Sequence, residues 1–542
     1  MDTKRTVIAV FLLTLYLLPG LNHGLWRPDE PRVAGISAEM ARTKDFVVPK
    51  INNRPFLEKP PLYFMTTSLA ASLLGGDNDV NYRLVSLIFG IVTILTAFRL
   101  ASKNSSATEG LMAAGILAST WEFFMLSRWL LVDIALVCFV ALAMLSYQSL
   151  MQNNRASYSI AFALSIGLSF LVKGLVGPAI IAAAVLTDII RRRNMGCIKK
   201  LRLLPVLGMM LLPVIAWTSL LYLRGGWPFV REVIMVNNFM RFLGSPEGAA
   251  LGHQHGILFY LESFPRGFLP WTFLFIPAAF ASLRNFRKDS YISWFLGPVV
   301  LLSLSSTKRG IYLVPLYPAA ACMVAHWLIQ PPKLTWEKIM IAITWTIAVI
   351  GCFLPFAGIF LGIPLFGVCA GILSLAGLFL VWKEHSSWMR GLSLVAIMFI
   401  ALTTTSAVYF QYMKPKKDFM GFAREAIALA GDQDITIVRG DELFEVIIPM
   451  LTNRSCPQIN PSGIPADGLY LWATPYNENY SPLAKAGKVN ILLEKKIGSR
   501  RAVLAEVISH SAYPLSGHEH SLFSETEMRT LPEPWNAPAS PD

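Results

Sequence analysis

LLVDIALVCFVALAMLSYQSL, from Leu130 to Leu150, holds a single charged residue, Asp133, among aliphatic, aromatic and small side chains. About 20 such residues wound as a helix cover the hydrocarbon layer of a bilayer, where a helix satisfies its own backbone groups. The segment therefore reads as a membrane span with a carboxylate at one end. Similar apolar runs lie on both sides of it: Val7–Leu21, Leu84–Leu100, Gly110–Leu126, Ile160–Val172, Leu175–Ile190 and Leu203–Leu223, then Phe268–Leu283, Ile292–Leu304, Ile311–Leu328, Ile339–Leu361, Ile363–Trp382 and Leu392–Phe410. With Tyr63–Leu74 set aside as a helix lying in the interface, this predicts about thirteen crossings.

Composition agrees, since 54% of the 542 residues are apolar and 15% are charged, against roughly a quarter charged in a soluble protein. The net charge of +13 does not point to nucleic acid, because the basic residues fall in short loops, where they orient spans and meet anionic lipid headgroups. The six cysteines are scattered, with neither disulfide nor metal-ligand spacing. Lys4 and Arg5 ahead of Val7–Leu21 resemble the start of a secretory signal, but Asn22-His23-Gly24 provides no small-x-small cleavage site, so an uncleaved first span is expected.

An odd number of crossings puts the two termini on opposite sides. The loop holding Arg191, Arg192, Arg193, Lys199, Lys200 and Arg202 is the strongest inside marker. Alternation from it places the tail outside, together with the first loop (Trp26–Arg83), the turns at Asp133, Lys173 and Lys308, and the loop Arg224–Gly267. Charges recurring at one membrane edge are costly unless paired or used.

Several of these charges are candidates for chemistry. Asp29 and Glu30 open a helically spaced stretch with Val33, Ile36 and Met40, where Asp29 occupies the place of an N-cap. Glu58-Lys59-Pro60-Pro61 sets a carboxylate and an ammonium side by side before two prolines that fix the backbone; taken alone, it reads as a surface ion pair. Asp133, surrounded by Leu130, Leu131, Val132, Ile134 and Ala135, calls for a polar cavity or a partner such as Arg128. Lys173 ends its span, where a lysine commonly snorkels.

In order, Pro28-Asp29-Glu30-x-Arg32, Asp45-Phe46-Val47-Val48-Pro49, Glu58-Lys59-Pro60-Pro61, Tyr82-Arg83-Leu84, Leu131-Val132-Asp133, Val172-Lys173-Gly174, Arg241-Phe242, His253 with Phe259-Tyr260, Leu269-Pro270-Trp271, and Lys308 with Tyr312-Leu313-Val314-Pro315 resemble the aminoarabinose (4-amino-4-deoxy-L-arabinose) lipid A transferase family. These are bacterial relatives of the protein mannosyltransferases with the GT-C fold. The resemblance runs over roughly residues 5–330. It implies a polytopic α-helical membrane glycosyltransferase of the bacterial inner membrane, active at the periplasmic face, taking its sugar from an undecaprenyl phosphate carrier. The implied acceptor is lipid A, another glycan or a protein. The same resemblance makes Asp29 the catalytic carboxylate and gives Arg32, Glu58, Lys59, Arg83, Asp133, Lys173, Arg241, His253, Lys308 and Tyr312 to the donor and acceptor cavity. Val33 stands where the family has Tyr, and Thr307-Lys308-Arg309-Gly310 where it has Gly-Lys-Leu-Pro. Glu58 and His253 are also candidate ligands for a divalent metal, the one possible cofactor, although two side chains do not make a site.

Chemically, cations such as Lys59, Lys173, Arg241 or Lys308 suit a departing lipid phosphate. Asp29 suits proton removal from a hydroxyl acceptor, or, for a phosphate acceptor, stabilisation of charge developing on the sugar. The rival class is a lipid or glycan transporter or flippase, which fits a multi-span bundle but leads one to expect internal repeats with helices broken at mid-membrane; none is visible. Residues 1–413 are thus expected to form the membrane domain. Residues 414–516 are expected to form a small soluble α/β domain, with a helix near Phe419–Ala430 and strands near Ile435–Val438, Leu469–Ala473, Val489–Leu493 and Val503–Val507. A disordered end is expected over 517–542.

Overall fold

The computed structural model describes residues 16–18, 20–75, 78–194, 196–240, 242, 255–329, 334–382, 389–438, 442–460, 467–475 and 488–508. The chain forms two units. One comprises Met1–His23, Thr43–Pro49 and Pro55–Lys414; the other comprises Gly24–Arg42, Lys50–Arg54 and Pro415–Asp542. Two pieces of the first long loop thus belong with the C-terminal tail. The disordered end expected over 517–542 lies outside the described residues, as does most of the first expected span.

The first unit is a bundle of apolar helices. Among the described residues, seven are long and apolar enough to cross a membrane, or eight if Phe259–Gly267 and Thr272–Arg284, bent by 120°, count as one span. Shorter apolar helices, among them Leu62–Leu74, Ala107–Ala118 and Tyr291–Leu304, complete the set. Starts and stops follow local chemistry. Asn78 and Ser106 accept from the backbone N–H groups of Val80 and Glu109, satisfying donors that have no partner within the helix. Leu62–Leu74 ends on Gly75, at φ 79°, a conformation that costs glycine little. The expected span Gly110–Leu126 is two helices, Ala107–Ala118 and Trp121–Leu126, separated by Ser119 and Thr120, whose hydroxyls bond back to the carbonyls of Gly115 and Ile116.

Burial sorts centre from rim. In Asp133–Asn153 and Gly310–Ile329, 78% of the apolar stretch is buried against protein, compared with 17% in Leu203–Met240 and 22% in Thr335–Ile359. Apolar side chains with no protein cover on a spanning helix are those suited to lipid.

The second unit carries a five-stranded sheet in the order Gln458–Ile459, Ile435–Val438, Gly468–Pro475, Arg500–Ile508, Lys488–Ile497. Ile435–Val438 runs parallel to both its neighbours, and the remaining pairs are antiparallel. Val438, Tyr470, Trp472, Val503, Ala505 and Val507 form a buried core on it. Among the described residues of the tail, the helices Phe419–Ala430 and Glu442–Thr452 accompany the sheet. The first-loop pieces are the helix Asp29–Thr43 and a short hairpin, Lys50–Ile51 with Arg54–Pro55. The two residues at its turn, Asn52 and Asn53, lie at φ 48° and 66°, as a two-residue hairpin turn requires and asparagine tolerates.

Candidate functional site

In the membrane unit the site is built from helix ends. Asp133 is the first residue of Asp133–Asn153 and Lys173 the last of Ala156–Lys173. A carboxylate at a helix N-terminus and an ammonium at a C-terminus each complement the backbone dipole. Because the two helices are consecutive, antiparallel neighbours, these ends coincide. The Lys173 ammonium donates to Asp133 Oδ1, with side-chain exposures of 12% and 10%, so the pair is largely withdrawn from water. The ammonium also lies 4.5 Å from the centre of the Tyr312 ring, close enough for cation–π attraction.

The partner suggested for Asp133 from its sequence neighbourhood, Arg128, is not the one observed. Its guanidinium lies over the rings of Phe124 and Phe410, 4.2 and 4.7 Å from their centres, and Nη1 donates to Ser406 Oγ at 3.2 Å. Five residues along the chain, Arg128 lies before the helix that Asp133 begins, whereas Lys173 reaches Asp133 across a tertiary contact.

Gly174 follows Lys173 at φ 64°, and a Cβ there would run into the Asn238 carboxamide. Asn238 Oδ1 accepts from the Leu175 N–H at 2.7 Å and its Nδ2 donates to Val233 O at 2.6 Å. The turn is thus locked to the π-type helical segment Glu232–Met240. Next to it, Asn237 donates to Leu57 O at 3.4 Å and to Glu232 Oε1 at 3.0 Å, tying in the residue before Glu58. Glu58 and Lys59 are 3.9 Å apart and part-exposed. Asn237 and Asn238 escaped the sequence reading. The available signal was a pair of amides inside the apolar stretch Val236-Asn237-Asn238-Phe239.

Other expected site residues are occupied differently. Lys308 is 2% exposed and donates to the carbonyls of Ser305 and His255. Burial lowers the pKa of its ammonium. Arg83 is buried, paired with Asp79 at 2.7 Å and bonded to Leu21 O. Arg241 and His253 lie outside the described residues, and with His253 so does the candidate metal pair Glu58 and His253. Among the described residues no group of three or more His, Cys, Asp or Glu side chains could hold a metal ion. A further unforeseen group is Glu122, whose Oε2 accepts from Tyr317 OH at 2.5 Å.

Asp29 belongs to the second unit. It opens Asp29–Thr43, while the neighbouring carboxylate, Glu30, is buried and accepts from the Trp26 N–H at 2.9 Å. Arg32, one turn on, has Nη1 3.8 Å from Asp29 Oδ1 and donates through Nε to Glu442 at 2.6 Å. Further along the helix, burial raises the pKa of the Glu39 carboxyl, opposed by the Asn53 N–H that donates to it at 2.8 Å.

Residues 58–217 match the family model for Dolichyl-phosphate-mannose-protein mannosyltransferase. The undecaprenyl phosphate-alpha-4-amino-4-deoxy-L-arabinose arabinosyl transferase of Pectobacterium atrosepticum is 25% identical over 374 residues, or 66% of this chain and 65% of that protein. The chain therefore spans a little under two thirds of that relative's length. Among solved structures, ArnT from Cupriavidus metallidurans bound to undecaprenyl phosphate superposes with a TM-score of 0.76 at 18% identity, covering 93% of this chain and 98% of that one. The oligosaccharyltransferase AglB from Archaeoglobus fulgidus gives a TM-score of 0.50 at 13% identity, covering 84% and 64%. The fold is that of the GT-C glycosyltransferases, and the resemblance to the aminoarabinose transferases holds.

Proposed function

We propose that this chain is a multi-pass glycosyltransferase that moves a sugar from an undecaprenyl phosphate carrier to lipid A or another periplasm-facing acceptor. The observation that carries the reading is the Asp133–Lys173–Tyr312 cluster at coincident helix ends, in a chain whose fold matches a transferase captured with undecaprenyl phosphate. A transporter with the same bundle is set aside because the relatives carry transferase names.

In the reaction the bond between the sugar's anomeric carbon and the carrier phosphate oxygen breaks, and its electron pair leaves on the phosphate. A bond from the acceptor oxygen to the anomeric carbon replaces it. Lys173 and Lys59, supplemented by Arg241, would balance the charge gathering on the leaving phosphate, an effect strongest where water is scarce. Asp133 holds the Lys173 ammonium at the coincident helix ends until a phosphate competes for it. Asp29, in the role the family motif gives it, takes the proton of a hydroxyl acceptor; for a phosphate acceptor that is already ionised, no base is needed and its charge would offset the oxocarbenium character of the sugar. The tail is proposed as an accessory domain on the periplasmic side.

The test is transfer of radiolabelled sugar from a panel of undecaprenyl phosphate donors, aminoarabinose among them, by the purified full-length chain. Asp29→Asn is expected to fold and to lose about a thousandfold in turnover, within the span removed with a catalytic acid or base. Wild-type turnover in that variant would remove Asp29 from the mechanism. No transfer from any donor by the wild-type chain would remove the reaction class.

A further inference from the structure

The segment from Glu442 to Cys456 grips the first loop through several independent contacts. Glu442 and Glu445 stand one turn apart on the helix Glu442–Thr452, so both carboxylates leave the same face. Glu442 takes Arg32 from the helix Asp29–Thr43 at 2.6 Å, and the buried Glu445 takes Arg54 from the hairpin. Next to Glu445, Val446 packs against Gly35 so closely that a Cβ on the glycine would lie 2.6 Å from the valine Cβ. Beyond the helix, Asn52 and Cys456 exchange two hydrogen bonds, each of 2.9 Å.

Ordinary domain packing accounts for Val446, Glu445 and Asn52. Glu442 differs, because the guanidinium that it holds also faces Asp29. An arginine fork is planar and offers donors along separate edges. Glu442 engages Nε at 2.6 Å, and Nη1 of the same fork lies 3.8 Å from Asp29 Oδ1, within ion-pair reach, so the one guanidinium stands between the two carboxylates. A lysine in its place would supply charge without orientation.

We propose that Glu442 is a positioning residue of the transferase: from the tail, acting through Arg32, it sets the orientation of the Asp29 carboxylate. The soluble tail is on this account a working part of the catalytic machinery. The inference rests on the reading of Asp29 as the catalytic carboxylate.

The experiment measures kcat and donor KM for the purified full-length chain with the undecaprenyl phosphate donor that supports wild-type transfer, alongside amide hydrogen exchange over Asp29–Thr43. Glu442→Ala should lower kcat about 30-fold, the scale of one hydrogen bond to a charged group, with KM within about twofold and faster exchange at the start of the helix. Glu442→Gln retains an oxygen that can accept from Arg32 Nε, and should keep kcat within about threefold of wild type. Arg32→Lys, which preserves charge but not the fork, should lose kcat as Glu442→Ala does, and it decides the matter if Glu442→Ala proves unfolded. Wild-type kcat in Glu442→Ala or Arg32→Lys, or a change in KM alone, overturns the positioning role while Asp29→Asn stays inactive. An active Asp29→Asn overturns the reading beneath it instead.

Discussion

Asp133 and Asp29 are both carboxylates facing a cation, but they are held by different means. Asp133 meets Lys173, 40 residues away, because two consecutive antiparallel helices bring a start and an end together. The helix dipoles favour both charges, and little else is required. Arg32, beside Asp29, is held by Glu442 across 410 residues of sequence, and no local rule brings those side chains into contact. The first arrangement follows from chain order in a bundle. The second depends on the tail folding around two pieces of the first loop.

That difference is open to attack. The largest effect is expected at the membrane pair: Lys173→Met leaves Asp133 without its cation in a nearly dry position, where losing one partner costs about 3–5 kcal/mol. Transfer should vanish and thermal unfolding in detergent should occur at a clearly lower temperature. The double variant Lys173→Met with Asp133→Leu should recover much of the stability and none of the activity. If the double variant were no more stable than the single one, the pair would not be an electrostatic unit. Next in size, Trp472→Ala removes a side chain from the core of the tail sheet, expected to cost about 3–5 kcal/mol by analogy with other large-to-small changes, felt within the second unit. Limited proteolysis after Pro415 should accelerate while the membrane helices stay intact. Equal protection of the tail in variant and wild type would contradict the core assigned to it.

A smaller effect is expected at Gly174→Ala, where φ is positive and the Asn238 carboxamide lies in the path of the new methyl. A cost of about 1–2 kcal/mol and a partial loss of turnover should follow, since the turn carrying Lys173 must shift. Unchanged turnover would show that the position of Lys173 tolerates movement.

Much of the bundle was legible because lipid imposes one solution on the backbone, and an apolar run of sufficient length announces it. Leu130–Leu150 predicted a span, and the helix Asp133–Asn153 is the result. The helix Phe419–Ala430 was legible for a related reason, its apolar residues recurring on one face. The helix Glu442–Thr452 was not, because Leu443-Phe444 and Val446-Ile447-Ile448, parted by Glu445, are apolar stretches too short for periodicity to tell strand from helix. Asn237 and Asn238 were passed over because a pair of amides announces a role only through what it bonds to, and their partners, Leu57, Val233 and Leu175, are fixed by packing.

By itself the sequence determined that the chain carries many apolar helices, where most of those among the described residues lie, and which charged residues stand near their ends, since burial of backbone and side chain in hydrocarbon is a local, additive constraint. The tertiary structure decided which charge answers which: Lys173 and not Arg128 for Asp133, and Glu442 for Arg32. Pairing a buried charge depends on distance and desolvation in three dimensions, and spacing along the chain carries that information only where two neighbouring helices happen to share an end.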